Sequence, residues 1–217
     1  MAGQCVSRLH PRTRISGLLW LWSLSWMLPA TGLPQVIAIH SGGGVPQAMT
    51  RDELDAFGAI YDEVDANSTI RAVTRFARDF PKSQFLEYAD MVAMHAYDEL
   101  GDRRGSRAMA EAILNLSPRN VDALLTLAEL IVKDSLGSQD GATQWNLARD
   151  YVRQGLAELN RYTLPPLAER KRWLRSKRDF LARGYSILGG VAFTQGNLDE
   201  AIGNYAKATD LNPLAVC

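Results

Sequence analysis

The chain has 217 residues, 47% hydrophobic and 22% charged, with 24 basic residues balanced by 24 acidic ones. That length suits one domain or a short array of repeats. A net charge of zero gives no general attraction to nucleic acid, and the two cysteines, Cys5 and Cys217, stand too far apart for a disulfide framework or a cysteine metal cluster.

At the N-terminus Arg8, Arg12 and Arg14 precede an apolar run over 17–28, and small residues follow at Ala30, Thr31 and Gly32. This is the layout of a secretory signal. The run is shorter than the roughly 20 residues of a membrane span. Residues 1–32 are therefore expected to direct export, leaving the protein periplasmic, secreted or membrane-anchored. No charge occurs between Arg14 and Arg51, and 36–39 adds apolar length, so an uncleaved anchor is the alternative; Pro29 and Pro34 oppose one continuous helix. Cys5 precedes the run and so is not placed for lipid attachment. Residues 33–49 read as a flexible linker, with glycines at 42–44 that lack the Gly-Lys-Ser/Thr ending of a phosphate loop.

The helical pattern then begins. Thr50 and Glu53 form a capping box ahead of Leu54, Phe57, Ile60, Tyr61 and Val64, one apolar face. Asn67 is the expected cap of a second helix carrying Ile70, Val73, Phe76, Ala77 and Phe80, and Pro81 ends it. Asn67-Ser68-Thr69 also fits a glycosylation acceptor, relevant only in a eukaryotic secretory pathway. A second pair spans 84–118, with Tyr88, Met91, Val92 and Tyr97, a turn at Gly101, and Met109, Ala110, Ile113 and Leu114 on the return. A third, over 121–160, carries Leu124, Leu127, Ala128 and Ile131, then an enlarged turn from Asp134 to Gly141, then Ala148, Val152, Gly155 and Leu156. After Pro165 and Pro166 a long helix is expected from Leu167. Its start is basic: Arg170, Lys171, Arg172, Arg175, Lys177, Arg178 and Arg183.

The last hairpin is the clearest. Tyr185, Leu188, Ala192 and Phe193 recur at helical spacing, Gly196 supplies the turn, and Ala201, Tyr205 and Ala208 share one face before Pro213. Leu188-Gly189, Gly196, Ala201, Tyr205, Ala208 and Pro213 stand in the register of the tetratricopeptide repeat, and 182–215 resembles that family closely. Tyr185 stands where the family usually has tryptophan, and Ala192 where it has tyrosine. The resemblance extends more loosely over 50–213. It implies an all-α, right-handed superhelical array of antiparallel helix pairs, three to four repeats long. Its concave surface, lined by the first helix of each pair, would receive a peptide or protein segment.

Carried over by register, the inward positions are Tyr88, Met91, His95, Asp98 and Glu99 in the second pair. In the third they are Asp122, Leu125, Glu129, Val132 and Lys133. In the last they are Arg183, Ser186, Gly190, Phe193 and Thr194. These mix aromatic, aliphatic and charged groups, as suits a peptide. His10, His40 and His95 lack metal-ligand spacing. The acid pairs Asp62-Glu63 and Asp98-Glu99 read as solvated helix ends, and no serine stands in a nucleophile elbow. The expected function is a non-catalytic adaptor without cofactor, metal or nucleic acid. The alternatives are an envelope component held at a membrane by its N-terminus and the basic helix 170–183, and an enzyme with a site in the enlarged turn.

Overall fold

A computed structural model describes residues 46–135, 141–161 and 167–212, with side chains from 170 onward in the last stretch. The leader and nearly all of the linker, the centre of the enlarged turn, Pro165, Pro166 and Pro213 lie outside them. The described residues form eight α-helices: α1 (Arg51–Tyr61), α2 (Ala66–Asp79), α3 (Leu86–Glu99), α4 (Arg103–Leu116), α5 (Val121–Ser135), α6 (Gly141–Arg161), α7 (Leu167–Thr194) and α8 (Leu198–Leu211). The fold is all-α, with no strand among the described residues. No described helix is long and apolar enough to cross a membrane.

Short polar side chains start α1, α2, α4, α5 and α8, because the first amides of a helix have no partner within it. Thr50 Oγ1 accepts from the Glu53 amide at 3.1 Å, and the Glu53 carboxylate takes the Met49 amide in return. Asp102 accepts from Gly105 at the head of α4, Asn120 from Ala123 at the head of α5, and Asn197 from Glu200 at the head of α8. The cap of α2 is Asp65, whose Oδ1 takes the Ser68 amide at 2.9 Å. This corrects the expectation for Asn67, which lies inside the first helical turn: the acid two residues earlier already fills the capping position.

Two of the turns are the same object. Gly101 has φ 69° and Gly196 has φ 76°, the left-handed conformation that glycine adopts without a Cβ penalty. After each, the next amide returns to the helix: Asp102 N–H donates to the Tyr97 carbonyl, and Asn197 N–H to the Ala192 carbonyl, both at 2.9 Å. Each glycine amide donates in the same way, to Asp98 and to Phe193. This is the paired closure of a Schellman turn, repeated between α3 and α4 and between α7 and α8.

Each helix packs on its neighbours in sequence, and α5 also packs on α7. Burial is correspondingly divided into three successive clusters. Phe57, Val73, Phe76, Phe85 and Tyr88 join α1, α2 and the start of α3; the Phe57 ring stacks on Phe85 with centroids 4.5 Å apart. Met91, Met94, Ala110, Ile113, Ala123 and Leu127 join α3, α4 and α5. Leu125, Ile131, Val152, Leu159, Ile187 and Val191 join α5, α6 and α7. In the last pair the Tyr205 ring covers Gly189, where a Cβ would come within 2.8 Å of it. The small residue makes room for an aromatic side chain there. Ala201 and Ala208 are buried on either side.

Of the enlarged turn expected over 134–141, Asp134 and Ser135 belong to α5 and Gly141 to α6, and 136–140 lie outside the described residues. α6 packs antiparallel on α7, with Arg149 bonded to Gln195 at one end and Leu156 against Gly184 further along.

Candidate functional site

The odd-numbered helices α3, α5 and α7 lie side by side and are tied by polar side chains. Asn120, which caps α5, donates to Glu87 of α3 at 2.7 Å. Two residues on, Asp122 is the junction. Its Oδ2 lies 2.7 Å from His95 Nε2 on α3, and its Oδ1 accepts from Arg183 Nη1 on α7 at 2.8 Å. The Arg183 guanidinium also donates to Thr126 Oγ1 at 2.9 Å and to Glu129 Oε2 at 3.0 and 3.1 Å. Lys133 then pairs with the other oxygen of Glu129 at 2.7 Å. One row of charges therefore runs from α3 across α5 to α7.

Burial makes this row matter. The Asp122 side chain is only 7% exposed, whereas those of Arg183 and Glu129 are about one third exposed and His95 is half-exposed. Burial by itself pushes the Asp122 carboxyl up, but the hydrogen bond and charge of His95 and the charge of Arg183 outweigh it and hold the group below its usual value. Glu129 is likewise raised by burial and lowered further by Arg183 and Lys133, with a net downward shift. The hydrogen bond to Asp122 raises the His95 imidazole above its ordinary value, against a smaller opposing effect of burial. Asp122 and Glu129 are thus carboxylates, and Arg183 is clamped by both.

Beside the row, between α5 and α7, lies a cavity of about 230 Å³ lined by Glu129, Val132, Lys133, Arg183, Ser186, Ile187 and Gly190. Gly190 keeps the floor open: a Cβ there would touch Val132 at 3.6 Å. Lys133 stands exposed at the rim.

The structure sorts the register-assigned residues into two groups. His95, Asp122, Glu129, Val132, Lys133, Arg183, Ser186 and Gly190 are in the charge row or the cavity wall. Tyr88, Met91 and Leu125 are not on that surface. They are buried, Leu125 completely, in the three seams described above. The register assigned them inward, but they pack within the seams: Tyr88 against the Phe57 ring of α1, Met91 in the cluster of α3, α4 and α5, and Leu125 against Gly155 of α6. Phe193, counted in the apolar face of its hairpin, is 61% exposed near the end of α7. Asp98 and Glu99 are exposed at the end of α3.

The sequence reading missed Thr126 as the hydroxyl partner of Arg183 and Ile187 as cavity wall. It counted Arg183 both in the basic run and among the inward positions, without the two carboxylates, Asp122 and Glu129, that hold it. The signal available was helical phase: Asp122, Thr126 and Glu129 stand at i, i+4 and i+7, one face of α5. Among the described residues no group of three or more histidine, cysteine or acidic side chains lies close enough to hold a metal ion. No protein-family model matches the chain, and no curated protein matches it.

Proposed function

We propose that this protein is a tetratricopeptide-like array that holds a peptide or protein segment on the face formed by α3, α5 and α7, acting outside the cytoplasm as a non-catalytic adaptor. The observation that carries this reading is the cavity between α5 and α7, whose wall is built from residues the repeat register assigns to the inner surface. The duplicated glycine turn and the serial packing of α1 to α8 support the repeat architecture. The right-handed superhelix is part of the proposal. Binding would rest on shape, on Val132 and Ile187 as apolar contacts, and on Lys133, paired with Glu129, as an exposed cation at the rim. Asp122 and Arg183 satisfy each other and serve as the rigid floor. The test is capture from a lysate of the source organism by the full chain, compared with Lys133→Glu/Phe193→Ala. Both positions are exposed, so folding should survive. Loss of a captured protein in the variant, with an unchanged melting curve, supports the adaptor. Capture indifferent to the substitutions overturns it.

A further inference from the structure

The first half of α7 carries a basic stripe with no ion-pair partner among the described residues. Between 170 and 183 the sequence has seven cations and one acid, Asp179. Arg183 is held by Asp122 and Glu129. Lys177 lies over the Trp173 ring, 5.2 Å from its centroid, and Trp173 is buried. Arg170, Lys171, Arg172, Arg175 and Arg178 are all exposed, and none has an ion-pair partner among the described residues. Lys171, Arg175 and Arg178 stand at i, i+4 and i+7, so they share one face. Leu174 lies beside that face, three residues after Lys171 and four before Arg178, and is 50% exposed.

α8 does not extend over this half of α7. Asn212, just past the end of α8, donates to Asp179 at 3.1 Å. α8 therefore runs alongside α7 only from Asp179 onward, and the stripe projects past it. Some exposed arginines elsewhere find carboxylates, Arg51 with Asp55, Arg103 with Asp134 and Arg161 with Glu158. In a chain of zero net charge, a run of unneutralised cations flanking an exposed leucine is a surface made for a polyanion.

We infer that this stripe docks on the anionic headgroups of a phospholipid bilayer, with Leu174 dipping into the interface. A straight helix with cations on one face and an aliphatic side chain among them fits a flat, multiply charged, partly apolar surface. A single-stranded nucleic acid would need exposed aromatic rings for base stacking, and Trp173 is buried. An uncleaved anchor at 17–28, the alternative reading of the leader, would hold the chain at the same surface. The inference does not depend on the cavity between α5 and α7.

The test is flotation of the full chain with vesicles of phosphatidylcholine alone and with about 30% phosphatidylglycerol added. Three proteins are compared: wild type, Lys171→Glu/Arg175→Glu/Arg178→Glu, and the charge-matched control Arg75→Glu/Arg104→Glu/Arg153→Glu. The wild type and the control should bind the anionic vesicles at least about tenfold better than the neutral ones. That preference should fade as salt rises from about 50 to about 300 mM. The stripe variant should lose it while keeping the wild-type circular dichroism and melting curve. Equal binding to neutral vesicles, or anionic binding unchanged in the stripe variant, overturns the inference. So does release from the vesicles by an oligonucleotide or by polyglutamate at equal charge, which would assign the stripe to nucleic acid or to an acidic protein.

Discussion

Arg183 and Asp122 are separated by 61 residues in sequence and by 2.8 Å in space, and they join the two helices that bound the cavity. Removing the guanidinium leaves a buried carboxylate with His95 as its remaining charged partner and frees one face of Glu129. Arg183→Ala should therefore destabilise the fold by about 2–4 kcal/mol, discounted for its partial exposure. Urea unfolding checks the value. A double-mutant cycle with Asp122→Asn should be clearly non-additive, because the second change removes the stranded charge. Additive losses would show that the contact does not couple α5 to α7.

His95 makes the same network respond to pH. Its imidazole faces Asp122 and Asp98, which favour the cation, and Arg183, which opposes it. A histidine whose folded value is raised contributes stability that is fully present below its unfolded value and is lost as pH rises through the folded value. The melting temperature of His95→Gln should thus fall below wild type at pH about 5.5, by an amount equivalent to about 1 kcal/mol, and match it near pH 9. An equal gap at both ends would mean that the imidazole contributes packing and not charge.

Asp90, on α3, is moved in the opposite sense. Burial pushes its carboxyl up to about 6. The folded state then prefers the neutral acid, so stability declines as pH rises from about 4 to about 6, and the full cost persists above. Asp90→Asn should raise stability by about 1–2 kcal/mol at neutral pH and change nothing near pH 4. Together with His95 this predicts a protein that is more stable in mildly acidic than in alkaline buffer. Thermal melts across that range test both residues at once.

Two glycines in the last hairpin should fail for different reasons. At Gly196 no atom lies within 4 Å of an added Cβ, so Gly196→Ala suffers only from its positive φ and should cost about 1 kcal/mol, with Gly196→Val costing more. At Gly189 the backbone is helical and the obstacle is the Tyr205 ring at 2.8 Å. Gly189→Val should cost about 1–3 kcal/mol and be partly rescued by Tyr205→Leu, which Gly196→Val should not be. Rescue of both, or of neither, would break the distinction.

The helices and their turns were legible because local chemistry sets them. Thr50, Gly101 and Gly196 act within five residues of themselves, and the 3.6-residue period put Ala201, Tyr205 and Ala208 on one face. Glu129, Val132 and Lys133 line the cavity from α5, and Arg183, Ser186 and Gly190 from α7, because residues three and four apart share one helical face. Leu125, Met91 and Tyr88 defeated the repeat register because the boundary between seam and surface depends on how closely neighbouring pairs approach, and that distance is not written in any one helix. The link from His95 to Asp122 was also out of reach. It depends on two helices 27 residues apart in sequence being set side by side, and mid-helix histidine has no local signature.

α7 is a single 28-residue helix that contains both the stripe and one wall of the cavity. At about 1.5 Å per residue, Lys171 and Gly190 are some 28 Å apart along an unbroken axis. A rod of that kind acts as a ruler. If one end lies flat on a lipid headgroup layer, anything gripped beside Gly190 is kept at a set stand-off from it, and both sites turn together about the same axis.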